Sequence, residues 1–381
     1  MGYHRQTRPS QTVDTCHADR CGNTPTTGYS RHQKALDTIA YRLALNGMQR
    51  VILRLTPVLL ISALCLLSVT LVLGAHVPEG EQITLTIAGD IYLVDIDRQF
   101  SYRLIHSADN ESIGAWSPDG RYLLYLSHEN PYLFDTTTRQ SHLLDDNPLM
   151  RYTSMMDWSP TEQAVAMIAY NANAQRFDLR RINIMTGDNQ LLLGDAEANG
   201  VFWSPDGVWL ALHYNNQRLS LFPMQADNND SGLPLTLPIP GDNPTWTAGS
   251  QSIVFSSRAS GRYEIYEYSI NNALNQLTYD SENQLSGGRV LSEARLLFLS
   301  QRDQNSEIYQ YDLNTRTETR LTDTPALKWR PQWSPDGNRI AFMSNATGTP
   351  QITVMNADGS DLRHIPVRFT IGFGVAPVWR P

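Results

Sequence analysis

The chain has 381 residues, 41% of them hydrophobic and 18% charged, which is enough apolar material for a packed core and too little charge for a disordered polymer. Its net charge of −8 is unevenly placed: residues 1–76 hold 8 Lys/Arg against 3 Asp/Glu, while residues 77–381 hold 22 against 35, with Lys328 as the sole lysine. So acidic a surface argues against nucleic acid as a partner, since phosphate neutralisation needs positive charge.

Residues 1–30 are rich in Thr, Ser, Pro, Gly and Arg and read as a disordered tail. QKALDTIAYRLALNG (33–47) places Leu36, Ile39, Ala40 and Leu43 on one helical face and ends in Asn46-Gly47, a plausible C-cap. Next comes LTPVLLISALCLLSVTLVLGA (55–75), uncharged throughout and long enough to cross a hydrocarbon layer roughly 30 Å thick as a helix. Arg50 and Arg54 precede it and no positive charge follows until Arg98. The positive-inside rule therefore predicts a cytoplasmic tail over 1–54, a single-pass membrane helix over 55–75 and the remainder outside, periplasmic or extracellular. A cleaved signal peptide is the competing reading, disfavoured by the long leader and the poor small-residue exit VLGAH. The three cysteines, Cys16, Cys21 and Cys65, all precede residue 66, so packing alone must hold the rest of the chain. Cys16-His17 and Cys21 lack the second ligand pair of a zinc site.

Beyond residue 80 the chain repeats. WSPDG occurs at 116–120, 203–207 and 333–337, with variants WSPTE at 158–162 and WTAGS at 246–250, and a last tryptophan stands at 379. Trp116, Trp158, Trp203, Trp246, Trp333 and Trp379 are separated by 42, 45, 43, 87 and 46 residues. The long gap is a double period, and WTAGSQSIVF (246–255) aligns without gaps on RVLSEARLLF (289–298), a unit without its tryptophan. A period near 43 falls in the range of four-stranded propeller blades. Each unit agrees: after the turn comes an apolar strand such as RIAFMS (339–344), then an alternating one such as SEIYQYDL (306–313), then a brief fourth, as in TRLTDT (319–324). Ser-Pro-Asp-Gly suits a type I turn, with proline fixing φ and glycine free to take positive φ at the exit. These are residues of the fold rather than of catalysis.

WSPDGNRIAFMSNATGTPQITVMNADGSDLRHI (333–365) resembles a repeat of the TolB-type β-propeller family and, more distantly, the propellers of prolyl oligopeptidases and dipeptidyl peptidases. The resemblance runs over about 80–381 through repeats, and it implies an all-β propeller domain at 80–381 without fixing a function. Residues 84–106 supply the last three strands of a unit, and GVAPVWRP (374–381) supplies only a first strand. The two fragments should join and close a ring of seven four-stranded blades. Six blades, as the resemblance implies, is the alternative.

No GxSxG elbow is present, the histidines are scattered without HxxxH spacing, and Asp145-Asp146, DNNDSG (227–232) and DGSD (358–361) do not reproduce a calcium loop. No catalytic residue, metal ligand or cofactor is therefore expected. Binding is expected on the face formed by the loops that lead into each tryptophan strand and those after each second strand. Its charged and aromatic candidates are Arg151, Tyr152, Arg258, Arg302, Trp329 and Arg330. The family resemblance implies a non-enzymatic scaffold in the cell envelope that engages a protein, peptide or cell-wall component. The alternative is a carbohydrate-active, lyase-like or substrate-binding propeller with its site in the central channel.

Overall fold

The computed structural model describes residues 81–106, 109–224, 234–279, 283–285 (backbone only), 294–367, 369–372 and 375–381. The tail, the 33–47 segment, the 55–75 run, all three cysteines, DNNDSG (227–232) and Arg289 lie outside the described residues. Among the described residues no helix is long and apolar enough to cross a membrane.

Alternating Val, Ile, Leu, Phe and Tyr between turn signals gives strands throughout, and they assemble into seven antiparallel sheets of four. Blade I combines Gln82–Ile87, Asp90–Asp95 and Phe100–Ile105 with the chain's last strand, Val378–Trp379. Blade II runs from Glu111–Trp116 to Gln140–Leu143, blade III from Met150–Trp158 to Asn189–Gly194 and blade IV from Ala198–Trp203 to Leu235–Thr236. Blade V runs from Asp242–Trp246 to Leu274–Gln276, blade VI from Asn283–Leu285 to Thr317–Arg320 and blade VII from Lys328–Trp333 to Arg363–His364. The ring closes as the complementary fragments require: Trp379 and Val378 pair with Ile83 and Thr84, and the Arg380 amide donates to the Gln82 carbonyl at 2.9 Å.

The core lies between blades. One apolar cluster fills each interface, from Leu93, Trp116 and Phe134 between I and II to Ile83, Val354 and Trp379 between VII and I. Six of the clusters contain a tryptophan; the cluster between V and VI, with Val254, Ile265, Leu296 and Phe298, contains none. The tryptophans also tie blades together by direction. Indole N–H groups of Trp158, Trp246 and Trp379 donate to the carbonyls of Ala115, Phe202 and Gln332, each the residue before the previous blade's tryptophan. Trp116 donates to the Thr84 hydroxyl of blade I.

The Ser-Pro-Asp-Gly turn is the same machine each time. In blades II, IV and VII the serine Oγ donates to the aspartate two residues on (2.5, 2.6 and 2.5 Å) and accepts the amide five residues on (2.8, 2.9 and 2.9 Å). Gly120, Gly207 and Gly337 sit at φ of +66°, +74° and +71°, a region that glycine enters without steric cost. WTAGS keeps this shape despite its altered sequence: Thr247 takes the serine's place and Ser250 the left-handed seat at +59°.

Candidate binding faces

In blades II, III, IV, V and VII the tryptophan end of the first strand leads into the tight turn, while its start pairs with the end of the second strand, as Lys328 does with Ser344. The molecule therefore has a turn face and an opposite face formed by strand starts and second-to-third loops. All six candidate residues fall on this opposite face, in blades III, V, VI and VII. Near their starts several first strands carry a register irregularity, which lifts part of the strand off its ladder. Asn243 and Arg330 sit in two of them at φ of +52° and +53°.

Arg330 is exposed and Trp329 beside it packs against the VII–I core. Arg258 is exposed with its guanidinium 4.3 Å from the Tyr263 ring centre. Arg151 lies 3.6 Å from Glu129 across the II–III junction. Arg302 is more engaged, 2.5 Å from Glu318 and 4.4 Å from the Tyr309 ring centre. Tyr309 in turn donates to Asp303 at 2.5 Å, and burial followed by that carboxylate pushes its phenol up to about 12. Tyr152 lies within strand Met150–Trp158 rather than in an open loop. It is buried, and its hydroxyl joins Asp145 and Asn189 in a strut between a loop and the fourth strand. Burial first, then Asp145, raises its pKa.

Three further features of this face were invisible in the sequence. Leu149, Tyr279 and Leu327 are exposed on loops entering first strands. At the IV–V junction Asp242 gathers three donors from separate segments: Gln217 Nε2 at 2.6 Å, Tyr263 Oη at 3.2 Å and, depending on tautomer, His213 Nε2 at 3.2 Å. At the VI–VII junction Lys328 is buried against Glu307 at 2.9 Å and donates to the carbonyls of Thr324 and Ala326. Thr322 donates to the same carboxylate at 2.5 Å. That pair fixes the loop that carries Leu327 and the start of the strand that carries Arg330, because a buried ion pair persists only with its remaining hydrogen bonds satisfied. Among the described residues no group of three or more His, Cys, Asp or Glu could hold a metal ion.

A closed ring of four-stranded blades with tryptophan-filled slots defines the class, a seven-bladed β-propeller. Over its last stretch the chain is similar to TolB-like repeats: the family model described as TolB beta propeller domain matches residues 292–381. A protein TolB homolog of Chlorobaculum tepidum is 31% identical over 101 residues, covering 26% of this chain and 22% of the relative. The Tol-Pal system protein TolB of Syntrophus aciditrophicus is 34% identical over 85 residues, covering 21% and 19%. The chain thus spans about a fifth of the length of these relatives. Among solved structures, an oligogalacturonate lyase in complex with manganese superposes with a TM-score of 0.57 at 16% identity, over 73% of this chain and 83% of that one. At that identity the likeness is one of fold.

Proposed function

We propose that the chain is a membrane-anchored, extracytoplasmic scaffold that binds a protein, peptide or cell-wall partner through the face where first strands begin. The observation that carries this reading is the company of exposed Arg258 and Arg330 with exposed Leu149, Tyr279 and Leu327 on that face. Arginine and aromatic groups beside apolar ones make binding anchors. The name of the Syntrophus relative, a Tol-Pal system protein, is in keeping with a role in an envelope assembly. The uncharged 55–75 run behind Arg50 and Arg54 supports the anchor. Capture of an envelope partner by the full chain should fall about tenfold in Arg330→Ala and Leu327→Ala. Undiminished capture by both variants would place the contact elsewhere. Membrane-bound protein shortened by about 75 residues would replace the anchor with a cleaved signal.

One observation favours a second reading, a channel-side site acting on a carbohydrate. His213 and Asp242 are only 15% and 22% exposed and stand 3.2 Å apart, a histidine oriented by a carboxylate as general bases are. Turnover of a polysaccharide by the purified chain, abolished in His213→Gln, would establish this reading over the scaffold; no turnover leaves the scaffold.

A further inference from the structure

Six interfaces are plugged by tryptophan, and the seventh, between blades V and VI, is not. At its turn-face end lies a cleft of about 660 Å³ lined by Thr247, Ala248, Gly249, Glu267, Arg295 and Asp312 among others, a volume within the range of about 300–1,000 Å³ common for ligand sites. The residue that faces the next blade's tryptophan can be read from register, as the partner of the residue after the one opposite each blade's own tryptophan. It is Leu93 in blade I, Leu133 in II, Leu221 in IV and Val354 in VII, each in one cluster with the tryptophan it faces. In III and VI it is Arg181 and Gln310. In blade V it is Glu267. The sole carboxylate at this position faces the one slot whose tryptophan is missing.

The charges in the cleft are unequally committed. Arg295 stacks 4.8 Å from the Trp333 ring centre of blade VII and reaches the Gly337 carbonyl at 3.5 Å. Asp312 accepts the amides of Asn314 and Thr315 at 2.8 and 2.9 Å, hydrogen bonds that hold its carboxyl below the usual range. Glu267 is half-buried and, among the described residues, makes no hydrogen bond or ion pair. A carboxylate partly withdrawn from water and left without a donor favours an incoming cation.

We propose that this cleft binds a guanidinium or ammonium group, with Glu267 as the counter-charge and the Thr247–Gly249 turn as its rim. It lies on the face opposite the one assigned to the partner above, so the two readings stand or fall separately. The test is a calorimetric titration of the full chain with N-acetyl-arginine amide, using N-acetyl-glutamine amide as the neutral comparison. Binding of the arginine probe that weakens at least tenfold in Glu267→Gln and disappears in Ala248→Trp, which obstructs the exposed rim, is the expected result. Equal affinity for the neutral probe, or arginine binding unaltered by both substitutions, would overturn the proposal. Melting curves of both variants exclude loss through unfolding, and Ala248→Trp, changed only on an exposed turn, decides the matter if Glu267→Gln melts early.

Discussion

Gly120 and Gly337 occupy the same turn position at nearly the same φ, +66° and +71°, yet their surroundings differ. A Cβ on Gly337 would find nothing nearer than Arg295 Nη2 at 3.8 Å, whereas one on Gly120 would stand 2.4 Å from the Pro381 carbonyl oxygen. Alanine at 337 should therefore cost only the left-handed backbone, about 1 kcal/mol. Alanine at 120 should cost more than about 2 kcal/mol, because the chain end that closes the ring must move as well. Denaturant unfolding of the two variants measures the difference, and equal losses would show that the chain end yields freely. Ser250 shows how a non-glycine residue keeps this seat: at +59° its hydroxyl accepts the Asp206 amide of blade IV at 3.0 Å, an inter-blade bond that offsets the strain.

At the scale of the strand, the tryptophan sets both register and inter-blade contact. Trp158→Phe should cost about 1 kcal/mol more than Trp333→Phe. Both lose ring area, but only Trp158 donates its indole N–H to a neighbouring blade, at 2.9 Å; among the described residues the Trp333 indole finds no acceptor. Equal melting shifts would mean that these bonds contribute nothing net. The same dependence explains what could be read from the sequence. Where tryptophan and turn recur, the blades followed from spacing, strand order from the alternating pattern within each unit, and ring closure from the complementary fragments 84–106 and 374–381. Blade VI has neither; ungapped alignment put its missing tryptophan near Arg289, which lies outside the described residues, and the first-strand residues that the structure describes, Asn283, Gln284 and Leu285, pair with Ser300, Leu299 and Phe298. Tyr152 read as loop surface because Asp145, Asn147 and Pro148 signal a turn just before it, but the strand begins at Met150 and draws the ring inward. His213 and Asp242 are 29 residues apart and meet only because two blades pack; no local pattern announces such a pair.

For the molecule as a whole, the seam between the first and last blades is where the ring closes, and it carries charge. Arg339 of blade VII reaches Asp97 at 2.7 Å and Glu81 at 2.8 Å, both on the blade I side, and Arg363 lies 3.4 Å from Asp97. The hydrogen bond from Arg339 holds the Asp97 carboxyl below its usual range, whereas burial raises that of Glu81. The two act on stability with opposite sign. For Asp97 the folded state releases its proton more readily than the unfolded chain, so its contribution is present above roughly pH 4 and is lost as pH falls through the lowered folded value. For Glu81 the folded state holds the proton more tightly, so its contribution is present below roughly pH 4 and is lost as pH rises through the raised folded value. Asp97→Asn should therefore flatten the acid limb of the stability curve, and Glu81→Gln should steepen it. Unfolding midpoints measured from about pH 3 to 7 separate the cases; parallel curves for both variants would show that the seam is held by Trp379, Val354 and the closing strand, with these charges only decorating it.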